Sequence, residues 1–230
     1  MNTLHRLLAL PVLALTVATV HASTFTTITV DGNVSDWSDV PVLSTSFNNA
    51  TGGGLNITSV KMANNGTTLF ALVTFEIAVN PNNGDYAGTG PTLYFGIDKD
   101  QSHTTGFNVF GVDRVGIEAA WRNDEGIDVN GGNLSSNAAI SPYGTSTTTQ
   151  EISVSLTSLL ADNTTGVFGA LGSTFNFVFY TSGNGFYPGA FDEMVVGSYS
   201  LATAAVPEPS TFAALAGFGA LSLAFFRRRR

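Results

Sequence analysis

The chain has 230 residues, of which 11% are charged, contains no cysteine and carries a formal net charge of −8. Its basic residues gather at the two ends, and between residues 23 and 205 only Lys61, Lys99, Arg114 and Arg122 stand against sixteen acids, which leaves that middle near −12. Such a surface repels phosphate polymers, which argues against nucleic acid as a partner, and the lack of thiols excludes disulfides, thiolate catalysis and cysteine-held zinc, so a metal would have to be held by oxygen or by His103.

At the start of the chain, Arg6 precedes an apolar run from Leu7 to Val20, followed by Val20-His21-Ala22. The basic flank, the short run and the small residues at its end are those of a cleaved secretory signal, and the run is too short for a stable membrane span. Residues 1–22 are therefore expected to be a signal peptide, and residues 23–205 one domain long enough to bury its own core. Within that domain the hydrophobic period is two. Leu69, Ala71, Val73, Phe75, Ile77 and Val79 line one face of a strand running from Thr68 to Val79, and Phe175, Phe177 and Phe179 alternate with Asn176, Val178 and Tyr180. Ile152, Val154 and Leu156 alternate with Glu151, Ser153 and Ser155. Further strands are expected over Phe25–Val30, Ile57–Ala63, Thr92–Ile97, Val109–Trp121 and Glu193–Tyr199, separated by turn-formers such as Asn64-Asn65-Gly66. Only Leu156–Ala161 suits a helical turn. Eight or more strands with polar, glycine-rich turns predict an all-β antiparallel β-sandwich.

Four motifs follow one another along this body. Asp31-Gly32-Asn33-Val34-Ser35-Asp36-Trp37 comes first, then the hairpin Val60-Lys61-Met62-Ala63-Asn64-Asn65-Gly66-Thr67-Thr68-Leu69-Phe70. Ile97-Asp98-Lys99-Asp100 with Thr105-Gly106 comes next, and Glu151-Ile152-Ser153-Val154-Ser155-Leu156 last, with Ser155 where proline would be usual. In this order they resemble carbohydrate-binding family 9-like sandwich domains. The resemblance implies a jelly-roll-like sandwich and a non-catalytic, sugar-binding or surface role. Taken by themselves, Asp31-Gly32 reads as a tight turn, and Trp37 as an indole closing one end of the sandwich.

Three groups of residues bear on chemistry. Trp121, beside Arg122, Asp124 and Glu125 at a strand end, is either a core indole or a platform on which a pyranose ring stacks while the acids accept its hydroxyls. Tyr187, in the loop Gly185-Phe186-Tyr187-Pro188-Gly189, is a second platform of the same kind. Asp98 and Asp100 place oxygens at alternate positions of a loop leaving a strand, with Asp113 as an additional ligand from the next strand; the reading is calcium, and the other reading is aspartates that cap their own turn. The loop lacks the glycine and closing glutamate of an EF-hand. With one histidine in the body and no nucleophile elbow, there is no frame for a Ser-His-Asp enzyme, and no motif singles out a pair of glycosidase carboxylates.

The chain closes on Val206-Pro207-Glu208-Pro209-Ser210, an apolar run from Thr211 to Phe226, and Arg227 to Arg230. The prolines keep the tripeptide extended, the run as a helix is about 24 Å long at ~1.5 Å per residue, and the arginines hold their end in the cytoplasm. These parts, at residues 206–230, resemble the PEP-CTERM sorting signal of Gram-negative bacteria. The resemblance implies an exosortase-type membrane protease as partner, a transient inner-membrane anchor, removal of the tail, and delivery to the cell surface or an exopolysaccharide matrix. The sequence thus predicts an exported, non-enzymatic sandwich that binds extracellular polysaccharide. Its rivals are an extracellular hydrolase and a purely structural matrix protein.

Overall fold

A strand with apolar residues at every second position has one face to bury, and one with apolar residues at nearly every position has two. Both kinds occur here, and they dictate a layered body. The computed structural model describes residues 23–43, 45–48, 57–79, 92–108, 115–123, 125–127, 138–141, 147–161, 173–182 and 191–204. The expected signal peptide and sorting segment, with their two apolar runs, lie outside these residues, as do Tyr187 and Asp113. Among the described residues no helix is long and apolar enough to cross a membrane.

In chain order the strands are β1 (Thr24–Phe25), β2 (Thr45–Asn48), β3 (Ile57–Asn64), β4 (Thr68–Val79), β5 (Thr92–Asp98), β6 (Phe107–Asn108) and β7 (Gly116–Ile117). They continue with β8 (Ala119–Arg122), β9 (Glu125–Ile127), β10 (Ala139–Ser141), β11 (Thr147–Ser155), β12 (Thr174–Ser182) and β13 (Phe191–Ser200). One helix, α1 (Leu156–Ala161), follows β11 directly, and a 3-10 turn occupies Val34–Trp37. Sheet A has the order β1-β3-β4-β11-β10 and sheet B the order β2-β13-β12-β5-β8-β9, while β6 and β7 form a separate ribbon. The pairings are antiparallel except β1 with β3, which is parallel. The all-β sandwich expected from the period is the fold.

The core lies between the sheets. Leu69, Ala71, Val73 and Phe75 of β4 meet Phe95 of β5 and Phe175, Phe177 and Phe179 of β12, and the Phe95 and Phe179 rings stack at 4.5 Å. The second face of β4, with Phe70 and Leu72, is buried too, under a strap formed by Ile28, Trp37 and Val40. This is why the strand expected over Phe25–Val30 shortens to β1: the chain leaves the ladder so that its apolar residues can cover the outer face of sheet A. Trp37 therefore lies over that face rather than closing an end of the sandwich. Sheet B is covered similarly. Tyr94 and Tyr180 stack at 4.4 Å on its outer face beside Val178 and Ala120, below Val115 and Ile117. Gly96 makes this possible, since a Cβ there would run into Ile117 and Val178. The long strand expected over Val109–Trp121 is thereby divided among β7 and β8, with Glu118 at the break.

Two buried polar residues fasten the first and last described segments. Glu151 of β11, fully buried, accepts from Asp31 N (3.1 Å) and Gly32 N (2.6 Å) through Oε2, and from Trp37 Nε1 (2.8 Å) through Oε1. Gly32 has φ +87°, so the expected Asp-Gly turn is present and aims both amides at the carboxylate. Lys61 Nζ then donates to Trp37 O at 2.8 Å. Asn64, at the end of β3, performs the same service for the last described segment. Its Oδ1 accepts from Ala202 N (2.7 Å) and from the Tyr199 hydroxyl (2.9 Å), and its Nδ2 donates to Ala202 O (3.0 Å). Its own carbonyl accepts from Thr26 N at 2.9 Å. One residue thus ties down both the first and the last described segments.

Candidate functional site

The loop that leaves β5 turns sharply because two of its aspartates cap it. Ser102 N donates to Asp98 Oδ1 (3.2 Å) and to Asp100 Oδ1 (2.9 Å), and Thr105 Oγ1 donates to Asp100 Oδ2 at 2.7 Å. Gln101 takes φ +58° and Gly106 φ +69° to keep the loop closed. The loop packs against the break between β7 and β8. A Cβ on Gly116 would collide with the carbonyls of Ser102 and Thr105, and one on Gly106 would collide with Glu118 Oε1. Only glycine at both positions lets the loop close over the Glu118 carboxyl group.

Three carboxylates meet as a result. Asp98, Asp100 and Glu118 each offer an oxygen, and these oxygens all lie within 4.8 Å of one another. Asp98 is fully buried and pairs in register with Asn176, whose Nδ2 donates to Asp98 Oδ2 at 3.1 Å. Glu118 Oε2 accepts from Lys99 N at 2.8 Å, but its Oε1, also buried, has no hydrogen-bond partner among the described residues. Burial pushes the Glu118 carboxyl up to about 7, helped by the negative charges of Asp100 and Asp98 and opposed by the Lys99 amide and ammonium. The Asp98 carboxyl is raised as well, mainly by burial, although Asn176 and Ser102 counter this through hydrogen bonds. Burial of the Asp98 and Glu118 carboxyls favours a proton on them or a cation beside them.

The donor set fits a hard divalent ion. All its members are oxygens, and two oxygens bound at roughly 2.4 Å to one calcium ion are at most about 4.8 Å apart. The sequence singled out Asp98 and Asp100 and missed Glu118. Its signal was there, a lone acid in the apolar run Val115-Gly116-Ile117-Glu118-Ala119-Ala120. The aspartates do cap their own turn, Asp98 through Oδ1 and Asp100 through both oxygens, and the same loop brings them towards Glu118.

Trp121 is a correction. It is 1% exposed, faces the core from β8 and stacks on Phe95 at 5.2 Å, so neither of its faces is open to a sugar. The charged neighbours that suggested exposure are themselves absorbed: Arg122 is buried and paired with Glu125, because β9 continues the sheet past β8. Asp124 lies outside the described residues.

Comparison with known proteins bears on the two parts of the chain separately. Residues 205–230 match the PEP-CTERM protein-sorting motif, so the chain carries a sorting signal and is an exported protein sorted through the membrane. Among curated proteins none matches. The fold is similar to that of a family 9 carbohydrate-binding module from Caldicellulosiruptor kristjanssonii solved with cellotriose. The TM-score is 0.51 at 11% identity, over 81% of this chain and 97% of that one. The same organism's family 9 module solved with glucose gives a TM-score of 0.50 at 10% identity, over 81% and 98% of the two chains.

Proposed function

We propose that the exported body is a non-catalytic module that holds a neutral extracellular polysaccharide after an exosortase-type protease has removed its tail. The observation that carries this reading is the likeness of the whole sandwich to modules solved with glucose and cellotriose, in a chain that ends in a sorting signal. Charge sets the preference, because a body near −12 repels uronic and sulfated polymers. With Trp121 in the core, Tyr187 is the aromatic platform that remains from the sequence. A single stacked ring supplies roughly 1 to 3 kcal/mol, so one platform holds an isolated oligosaccharide no more tightly than about millimolar, and retention in a matrix depends on many copies. On affinity gels the body is expected to be retarded by a neutral β-glucan and not by an alginate-type polymer, with Tyr187→Ala abolishing the retardation at unchanged melting temperature. Equal mobility of the wild-type body in both gels and in plain gel would sink the binding reading in favour of the matrix one. Sorting is tested apart from binding: mature protein outside the inner membrane is expected to lack peptides containing Phe225-Phe226.

A calcium ion held by Asp98, Asp100 and Glu118 completes the proposal, supported by the buried Oε1 of Glu118 that no protein group partners among the described residues. The ion would supply charge compensation and a rigid loop rather than chemistry, since Asp98 is closed off from any substrate. Asp113, named with them from the sequence, is proposed as a further ligand. At about a hundred times its dissociation constant, calcium adds ~2.7 kcal/mol, which is roughly 5 to 10 °C in a domain of this size. Calorimetry against EDTA should show that rise. Glu118→Gln should lose it while matching or exceeding the wild type in EDTA, because a neutral amide carries no buried charge. A wild-type transition unmoved by calcium refutes the site.

A further inference from the structure

The end of the body that precedes the sorting segment is fixed to an unusual depth. Leu201 sits in the core, its amide bonded to Ser173 O at 2.9 Å, and Ala202 is buried and held on both its amide and its carbonyl by Asn64. Thr203 and Ala204 are the first exposed residues of the segment. Pro207 follows Ala202 by five residues, which reach at most about 18 Å when fully extended. A folded body of this size has a radius of gyration of roughly 16 Å. A compact body with that radius is roughly 40 Å across, so the tether is less than half the body's width, and a membrane protease that reaches the Pro-Glu-Pro segment must lie against the body.

The surface it meets is defined by register. The Asn65-Gly66-Thr67 turn, Thr24–Thr26, Ser173–Thr174, α1 and Leu201–Ala204 gather at one end of the strands: Phe25 pairs with Asn64, Thr174 with Ser200, and Leu156 N bonds to Thr67 O. None of these segments contains a charged residue, in a body with sixteen acids. Among the described residues, the acids at the same end belong to the Asp98–Gly106 loop and Glu118; since Ile97 and Phe177 face the core, Asp98 faces the outer side of sheet B, away from sheet A. A pole without charge on a strongly acidic body can approach a bilayer and the mouth of an embedded enzyme without stripping water from an ion or meeting repulsion.

We propose that this uncharged pole, centred on the Asn65-Gly66-Thr67 turn and Phe25, is the surface on which the body docks against the membrane-embedded sorting protease while its tail is cut. The proposal rests on the sorting reading. It makes the pole, and not the motif alone, a determinant of maturation. The test is pulse-chase maturation of the full chain in cells that contain the protease. Gly66→Glu, where a side chain meets only open space, and Phe25→Glu are each expected to slow maturation about fivefold, the penalty of one charge at such a surface. Thr148→Glu, exposed at the opposite end of β11, is expected to mature at the wild-type rate, as is either pole variant once an eight-residue Gly-Ser linker after Ala204 frees the body from the membrane. Calorimetry of the isolated bodies checks that Gly66→Glu and Phe25→Glu are folded; if Phe25→Glu is not, Gly66→Glu alone decides. Wild-type maturation of folded Gly66→Glu overturns the proposal, and so does a pole variant that the linker fails to rescue. A wild-type chain that keeps its tail, or a Pro207→Ala, Glu208→Ala chain that still loses it, overturns the sorting reading and this one with it.

Discussion

Trp121→Ala is expected to cost the body about 3 to 5 kcal/mol, the loss that follows deletion of a fully buried indole. The ring stacks on Phe95, which stacks on Phe179, and both belong to the cluster that joins the sheets, so the cavity opens in the middle of the core and not at its rim. Against a total stability of roughly 10 kcal/mol this removes a third or more, and the melting temperature should fall by about 10 °C. Polysaccharide retention measured well below that transition should be unchanged. A variant that melts as the wild type does but no longer binds would mean that the indole is exposed after all.

Glu151→Gln is expected to be nearly as damaging, although it alters no volume. Each carboxylate oxygen accepts from a fixed donor, Oε1 from the Trp37 indole and Oε2 from the Asp31 and Gly32 amides. Whichever way the glutamine amide is turned, its NH2 faces a donor, and one or two buried N–H groups go unpaired. Charge-assisted bonds are worth about 1.5 to 3 kcal/mol each, so a loss of about 3 to 5 kcal/mol is expected, with the strap released first. Denaturant titration gives the total, and Trp37 emission shifted to the red in the folded variant reports the strap. A loss below about 1 kcal/mol would show that the strap does not depend on this carboxylate.

The sandwich was legible because its strands alternate. The bounds expected for β4 and α1 are those observed, since Thr68–Val79 alternates strictly on its inner face and Leu156–Ala161 has no such pattern. Positions that depend on what lies across a sheet were not legible. Trp121 stands among charges in the chain, but β9 extends the sheet beyond it; only the pairing of Trp121 with Phe95 and Gly126 tells that it points inward. Glu151 and Trp37 were each picked out as parts of separate motifs, yet their bond spans 114 positions and no local pattern announces it. The acidic loop was half legible: Asp98 and Asp100 share a turn, whereas Glu118 joins them only because Gly106 and Gly116 permit close approach.

The strap also bears on how the chain acquires its fold. Its anchor is a residue 114 to 120 positions further along, so nothing near the N-terminus can complete the contact by itself. Closing so long a loop is slow and is not repaid until β11 has joined β4, which places docking of the strap late in folding. In an exported chain this ordering spreads completion of the strap over most of the body's length. The leading segment can meet β3 and β4 beforehand, through the pairing of Phe25 with Asn64 and the bond from Lys61 to Trp37 O, but the Asp31-Gly32 turn and the Trp37 indole are fastened only when Glu151 arrives. The contacts to Glu151 are thus the ones that complete the strap once the more local contacts are in place.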